Sequence, residues 1–117
     1  MIPANPVILQ CLCCLAWCDG LLMDEETAFL RDVFHQLHLD VDEQEALLNY
    51  QGPLPKEQEL LVACPDSGTR RSFLRLAVDL AWSDGELSDP EWDVIKGFCQ
   101  TFAMRIRTWQ ELNSWLS

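Results

Sequence analysis

The chain has 117 residues, 49% of them hydrophobic, which is enough material for the buried core of one domain. Its formal net charge of −11 argues against direct binding to nucleic acid or anionic lipid, and favours cations or a basic protein partner. No apolar run approaches the roughly 20 residues of a membrane span, and no basic residue precedes Arg31, as a signal peptide would require. We therefore expect a cytoplasmic protein that does not insert into a membrane.

Hydrophobic residues recur at the three- and four-residue spacing of helices along the whole chain, and no stretch alternates as a strand does. The sequence therefore predicts an all-α fold that forms a single domain over residues 1–117. We expect seven helices at about these positions: 5–18, 24–38, 42–50, 55–63, 69–83, 89–103 and 107–116.

The same pattern occurs twice, as AWCDGLLMDEE at 16–26 and as AWSDGELSDPE at 81–91. Equivalent residues lie 65 positions apart, and we call residues 19–26 and 84–91 the two DG segments. Each DG segment lies between two predicted helices, so the same helix–turn–helix unit is expected twice.

The hydrophobic positions of the neighbouring helices repeat at the same offset as the DG segments. This predicts an internal duplication in which residues 4–50 resemble residues 69–115. The helix at about 55–63 has no counterpart and is expected to bridge the two copies.

The residues at the ends of the predicted helices agree with this layout. Gly20 and Gly85 follow the ends of two helices, where glycine commonly allows the chain to turn. Ser88 fits the first position of a capping box at the start of the next helix. In the first copy Met23 replaces that serine, which leaves Asp24 as the candidate cap.

The spacing of the carboxylates in each DG segment matches part of a known calcium site. Asp-Gly followed by Glu is the second half of an EF-hand calcium loop, but Leu15 and Trp17 stand where the first oxygen ligands belong. An EF-hand is therefore excluded. A structural explanation stays open, because carboxylates in the first turn of a helix interact favourably with its dipole and an aspartate can hydrogen-bond within a turn.

The arrangement helix–AWxDGxL–x–DxE–helix, present twice in a small acidic helical chain, resembles the TerB-like superfamily, named for the tellurite-resistance protein TerB. The resemblance covers nearly the whole chain and implies a compact helical domain with pseudo-twofold symmetry. It also implies that acidic residues of the two DG segments bind a divalent cation, and calcium, magnesium and manganese suit carboxylate ligands. The implied metal ligands are Asp19, Asp24, Glu26, Asp84, Asp89 and Glu91.

The resemblance implies a non-enzymatic domain that acts in stress response, such as tellurite resistance, or as an adaptor. The chain contains no nucleophile elbow, P-loop or dinucleotide-binding glycine pattern, so we do not expect an enzyme. The alternative is a metal-free protein-interaction module whose acidic face binds a basic partner. A third hypothesis is a thiol-based redox protein.

The cysteines divide into two groups when the copies are aligned. Cys11, Cys13 and Cys99 fall opposite ordinary apolar residues, so we predict that they fill space in the core. Cys14 and Cys18 fall opposite polar residues and lie four positions apart on one predicted helix. This pair is the candidate for a soft metal ion or for redox chemistry.

Overall fold

The structure is a computed structural model that describes residues 5–117, and seven helices account for its secondary structure. These are α1 (Pro6–Trp17), α2 (Asp24–Gln36), α3 (Val41–Leu48), α4 (Glu57–Ala63), α5 (Ser67–Ala81), α6 (Asp89–Thr101) and α7 (Trp109–Leu116). No strand occurs in this range, which confirms the predicted all-α class, and every predicted helix is found to within two residues at each end. The predicted start of the first repeat, residue 4, lies outside the described residues.

Helix α1 lies at the centre of the core. Eight of its twelve residues are buried: Ile8, Leu9, Cys11, Leu12, Cys13, Cys14, Leu15 and Ala16. A helix that is apolar on all sides must be covered on all sides, and α3, α4, α5 and α6 all contact it. Among residues 5–117, neither α1 nor any other helix has the length and apolarity that crossing a membrane requires.

The α2 and α6 helices end in the same way. Each stops before a non-glycine residue in the left-handed conformation, His38 with φ 60° and Ala103 with φ 58°. At both ends a backbone hydrogen bond spans five residues, as in a Schellman motif. This ending stops both helices two residues before the predicted boundary. The superposition of residues 4–50 on residues 69–115 about a twofold axis stays a prediction.

The cysteines predicted to fill the core do so, since Cys11, Cys13 and Cys99 are fully buried. Cys14 is buried as well, whereas Cys18 is half-buried at the end of α1. All are free thiols. Burial is the main cause that raises the pKa of Cys11 and Cys13 to about 12, which favours the protonated form of both thiols.

The two tryptophans that precede the DG segments differ in their surroundings. The repeat predicts that both Trp17 and Trp82 anchor the core. Trp17 is half-buried, and its indole Nε1 donates to the carbonyl of Leu48 at 2.8 Å, which fixes α3 against α1. Trp82 is 38% exposed and rests against Trp109, with ring centroids 5.5 Å apart. The prediction is wrong for Trp82, because a large part of its ring stays at the surface.

Candidate functional site

Each DG segment begins with a tight turn directly after a helix. The carboxylates of Asp19 and Asp84 each accept a hydrogen bond from the backbone N–H two residues further on, at 3.1 and 3.0 Å. Gly20 and Gly85 follow with φ of +84° and +89°, a conformation that glycine adopts without the strain of a side chain. Asp19 and Asp84 therefore occupy equivalent, exposed positions, each at the start of its own DG segment.

Each DG segment ends in the first turn of a helix whose third residue is a glutamate. Glu26 Oε1 accepts from the backbone N–H of Met23 at 3.1 Å, and Glu91 Oε1 accepts from that of Ser88 at 3.0 Å. The Ser88 hydroxyl accepts in return from the Glu91 backbone N–H, which completes a capping box. Met23 makes no side-chain cap bond, and Asp24 is the first helical residue, so the predicted cap at Asp24 is wrong.

Burial distinguishes these two glutamates from others with the same local role. Glu43 and Glu59 are the third residues of α3 and α4, and they accept the same backbone hydrogen bond while remaining exposed. Glu26 and Glu91 are only 2% and 3% exposed, and no other charged residue within 5–117 is buried. Helix capping explains why a glutamate stands at the third position, but it does not explain why the carboxylate is buried. Burial of a charged carboxylate costs free energy.

The buried carboxylates of the two DG segments interact electrostatically. The pKa of Glu26 is raised to about 7, first by burial and then by the nearby charges of Glu91, Asp19 and Asp84, against the effect of its backbone hydrogen bond. Burial also raises the pKa of Glu91, and Asp84 and Asp19 contribute again. We call these four residues the carboxylate cluster. They are four of the six predicted ligands, drawn from both DG segments.

The other two predicted ligands, Asp24 and Asp89, stand apart from this interaction. They are the exposed first residues of α2 and α6, and neither contributes to the raised pKa of the buried glutamates. Within residues 5–117, no three His, Cys, Asp or Glu side chains are already arranged to hold a metal ion. Binding of a cation by these residues would therefore require their side chains to move closer together.

Cys18 and Cys14, which the sequence analysis considers as a pair, differ in the groups that act on their thiols or on neighbouring ones. Burial first, and then the charges of Glu91, Asp19 and Glu26, raise the pKa of the Cys18 thiol to about 12. The pKa of Cys11 is instead raised first by burial and then by the thiols of Cys14 and Cys64. The position of Cys18 directly before Asp19 is the sequence feature that could have indicated its acidic surroundings.

The chain is thus an all-α protein with two acidic DG segments, each of which contains one buried glutamate. Comparison with protein-family models, with curated proteins and with solved structures gave no match. The resemblance to the TerB-like superfamily therefore stays a prediction from the sequence.

Proposed function

We propose that the protein is a non-enzymatic, TerB-like domain that binds a divalent cation through the acidic residues of its DG segments. The observation that carries this proposal is the burial of Glu26 and Glu91, whose carboxylates interact although they come from different segments. The TerB-like resemblance adds the setting, which is stress response of the tellurite-resistance kind or an adaptor role.

The chemistry of the carboxylate cluster fits a hard cation. Neighbouring carboxylates repel one another, most strongly where burial removes the screening by water, and either a proton or a cation relieves this repulsion. Glu26 and Glu91 each use one oxygen for the helix cap, which leaves the second oxygen for an ion. With Asp19 and Asp84 they would supply an all-oxygen ligand set, which suits calcium, magnesium or manganese. Exposed acidic neighbours add to the negative potential that attracts the ion.

Thermal unfolding with each cation tests this proposal. The melting temperature is measured with calcium, magnesium and manganese, each against sodium chloride of equal ionic strength. An ion that binds only the folded chain stabilises it by about 2.7 kcal/mol at a hundredfold excess over its Kd. We expect at least one ion to stabilise the protein beyond the effect of sodium.

Substitutions in the turns show whether the ion binds at the DG segments. The double variant Asp19→Asn, Asp84→Asn should lose the stabilisation by the ion. The matched control is Asp42→Asn with Glu57→Gln, which removes two exposed charges from the first turns of α3 and α4 and should retain it. If no divalent ion stabilises the protein more than sodium does, or if the control loses the effect equally, cation binding at this site is rejected.

A further inference from the structure

A cavity of about 380 Å³ lies between the start of α1, helix α3 and the loop that joins α2 to α3. Among residues 5–117, its lining consists of Pro6, Leu9, Leu39, Glu43 and Leu47. Its size falls within the roughly 300–1,000 Å³ of small-molecule sites, which likewise combine apolar side chains with a few polar groups. None of these residues belongs to a DG segment, so a ligand here would not share residues with the proposed cation site.

Burial gives the cavity a direction from rim to floor. Leu9 is only 4% exposed and forms the floor. Leu39 and Leu47 are half-buried, pack against the core and form the walls. Pro6 and Glu43 are exposed and form the rim. A molecule that enters would therefore place an apolar chain against the three leucines and a polar group beside Glu43.

The rim of the cavity is acidic, and its carboxylate is held in place. Glu43 Oε1 accepts from the backbone N–H of Asp40 at 3.1 Å, and Asp40 Oδ1 accepts from that of Glu43 at 2.8 Å. This reciprocal cap leaves the second oxygen of Glu43 for another donor. Asp42 adds an exposed charge in the same helical turn, and within 5–117 no lysine or arginine lines the cavity.

The wall at Leu39 is also fixed by the structure around it. The backbone N–H of Leu39 donates to the carbonyl of Phe34 at 3.1 Å, and its own carbonyl accepts from Gln44 Nε2 at 3.0 Å. The loop is thereby tied to both α2 and α3. A site whose walls are ordered before binding loses less conformational entropy when a ligand binds.

We propose that this cavity binds a small amphipathic cation, an alkylamine with one aliphatic chain and one ammonium head group. The chain would contact Leu9, Leu39 and Leu47, and the ammonium would pair with the carboxylate of Glu43. The negative rim selects the charge of the ligand, because it attracts a cation and repels the carboxylate of a fatty acid. The inference goes beyond the proposed cation binding and does not depend on it.

A second cavity, of about 290 Å³, adjoins the first turn of α1 as well and provides an internal comparison. Its lining within 5–117 is Asn5, Val7, Gln58, Glu59, Val62 and Ala63. Glu59 caps α4 as Glu43 caps α3, through a hydrogen bond from the backbone N–H of Lys56 at 3.0 Å. Two amide side chains also line this cavity, and Val62 is 80% exposed, so an aliphatic chain would gain less there.

Three probes of equal chain length test the charge preference: heptylamine, heptanol and heptanoate. Binding is measured by titration calorimetry at pH 7.5 in EDTA, where the amine is a cation and divalent ions are absent. We expect heptylamine to bind about three- to fivefold more tightly than heptanol, as for an exposed ion pair, and heptanoate to bind most weakly. The advantage of the amine should shrink as salt is added.

Chain length tests whether the aliphatic part enters the cavity. From butylamine to heptylamine, each methylene that becomes buried should tighten binding about three- to fourfold. A lysine side chain carries its ammonium on only four carbons, so butylamine represents a lysine presented by a partner protein. Equal binding of butylamine and heptylamine would assign the rim to such a side chain and would overturn the proposal.

The variant Glu43→Gln tests the role of the rim carboxylate. Glutamine keeps an oxygen that can accept from Asp40, so the cap is retained while the charge is lost. We expect heptylamine to bind this variant no more tightly than heptanol, and heptanol to bind it as it binds the unmodified protein. The matched control is Glu59→Gln, which removes the capping charge at the second cavity and should keep the preference for the amine.

A larger side chain tests the location independently of charge. Leu47→Trp should fill part of the cavity and weaken heptylamine and heptanol alike. Val62→Trp, which narrows the second cavity instead, should leave both affinities unchanged. Should Leu47→Trp not fold, Glu43→Gln still decides, because it changes an exposed side chain and keeps the cap.

Four further results would overturn the proposal. They are no measurable binding of heptylamine, binding of heptanol or heptanoate as tight as that of heptylamine, loss of the amine preference in Glu59→Gln but not in Glu43→Gln, and tighter binding after removal of residues 2–4. The third result would assign the amine to the second cavity, and the fourth would assign the first cavity to the chain's own N-terminal segment.

Discussion

The charge of Glu91 contributes to the raised pKa of Glu26, although the two residues lie 65 positions apart in the sequence. Each is the third residue of its helix, and each is buried. The charge of one acidic segment therefore acts on the buried glutamate of the other. A proton and a divalent cation would both relieve the repulsion there and would compete for the same carboxylates, so the proposed cation affinity should fall as pH falls.

The raised pKa of Glu26 predicts a pH dependence of stability in the absence of divalent ions. The pKa of this carboxyl is about 7 in the folded chain, against an ordinary value of 4.5, so the folded chain binds more protons between these pH values. The contribution of Glu26 to the free energy of unfolding is therefore greatest below about pH 4.5 and is lost as pH rises through about 7. Urea unfolding in EDTA at several pH values measures this loss.

The variant Glu26→Gln isolates that contribution from the other titrating groups. Glutamine keeps an oxygen that can accept the hydrogen bond from Met23, and it removes the charge. We expect the variant to be more stable than the unmodified protein by about 1–2 kcal/mol at pH 8, and by much less at pH 5. The matched control is Glu59→Gln, which changes the exposed capping glutamate of α4 and should alter stability by less than about 0.5 kcal/mol at either pH. Equal effects of the two substitutions would contradict the prediction.

The helices and turns of this fold could be predicted because their signals are local. The three- and four-residue spacing of apolar side chains defines each helix, and Gly20 and Gly85 mark turns that the structure confirms through their positive φ. The predicted helix boundaries are wrong by one or two residues where a single side-chain hydrogen bond sets the end of the helix. α5 begins at Ser67 because the side chain of Asp66 accepts from the backbone N–H of Thr69, at 2.8 Å.

The burial of the glutamates could not be predicted, because it depends on packing between distant elements. In sequence, Glu26 at the third position of α2 is equivalent to Glu43 at the third position of α3, and both make the same backbone hydrogen bond. Tertiary packing alone decides that Glu26 is buried and Glu43 is exposed. The same dependence on neighbours explains why Trp17 and Trp82 differ although the sequences around them are similar.

The incomplete capping box of α2 predicts a stabilising substitution. Met23→Ser would supply the hydroxyl that Ser88 supplies at the start of α6, where it accepts the backbone N–H of Glu91 at 3.3 Å. We expect a gain of about 1 kcal/mol in the free energy of unfolding, measured with urea in EDTA. The converse variant, Ser88→Ala, should lose about the same amount. A loss on introducing the serine, or no cost on removing Ser88, would show that caps do not limit the stability of these two helices.

Substitution of glycine by alanine is expected to change the free energy of unfolding in opposite directions in the two turns and inside α6. A Cβ at Gly20, Gly85 or Gly97 would meet no atom within 4 Å, so only the backbone conformation distinguishes the three positions. Gly20 and Gly85 have positive φ, and alanine there should cost about 1–2 kcal/mol. Gly97 lies inside α6, where no close helix crossing requires glycine, and Gly97→Ala should stabilise the protein by about 1 kcal/mol.

Urea unfolding of the three single variants in EDTA measures these effects. Because Gly20 and Gly85 form the turns that position Asp19 and Asp84, their alanine variants should also lose part of any stabilisation by a divalent ion. Gly97→Ala serves as the control, since it lies outside both turns and should keep that stabilisation in full. If Gly97→Ala destabilises the chain, or if the two turn variants cost nothing, the backbone explanation of these glycines is wrong.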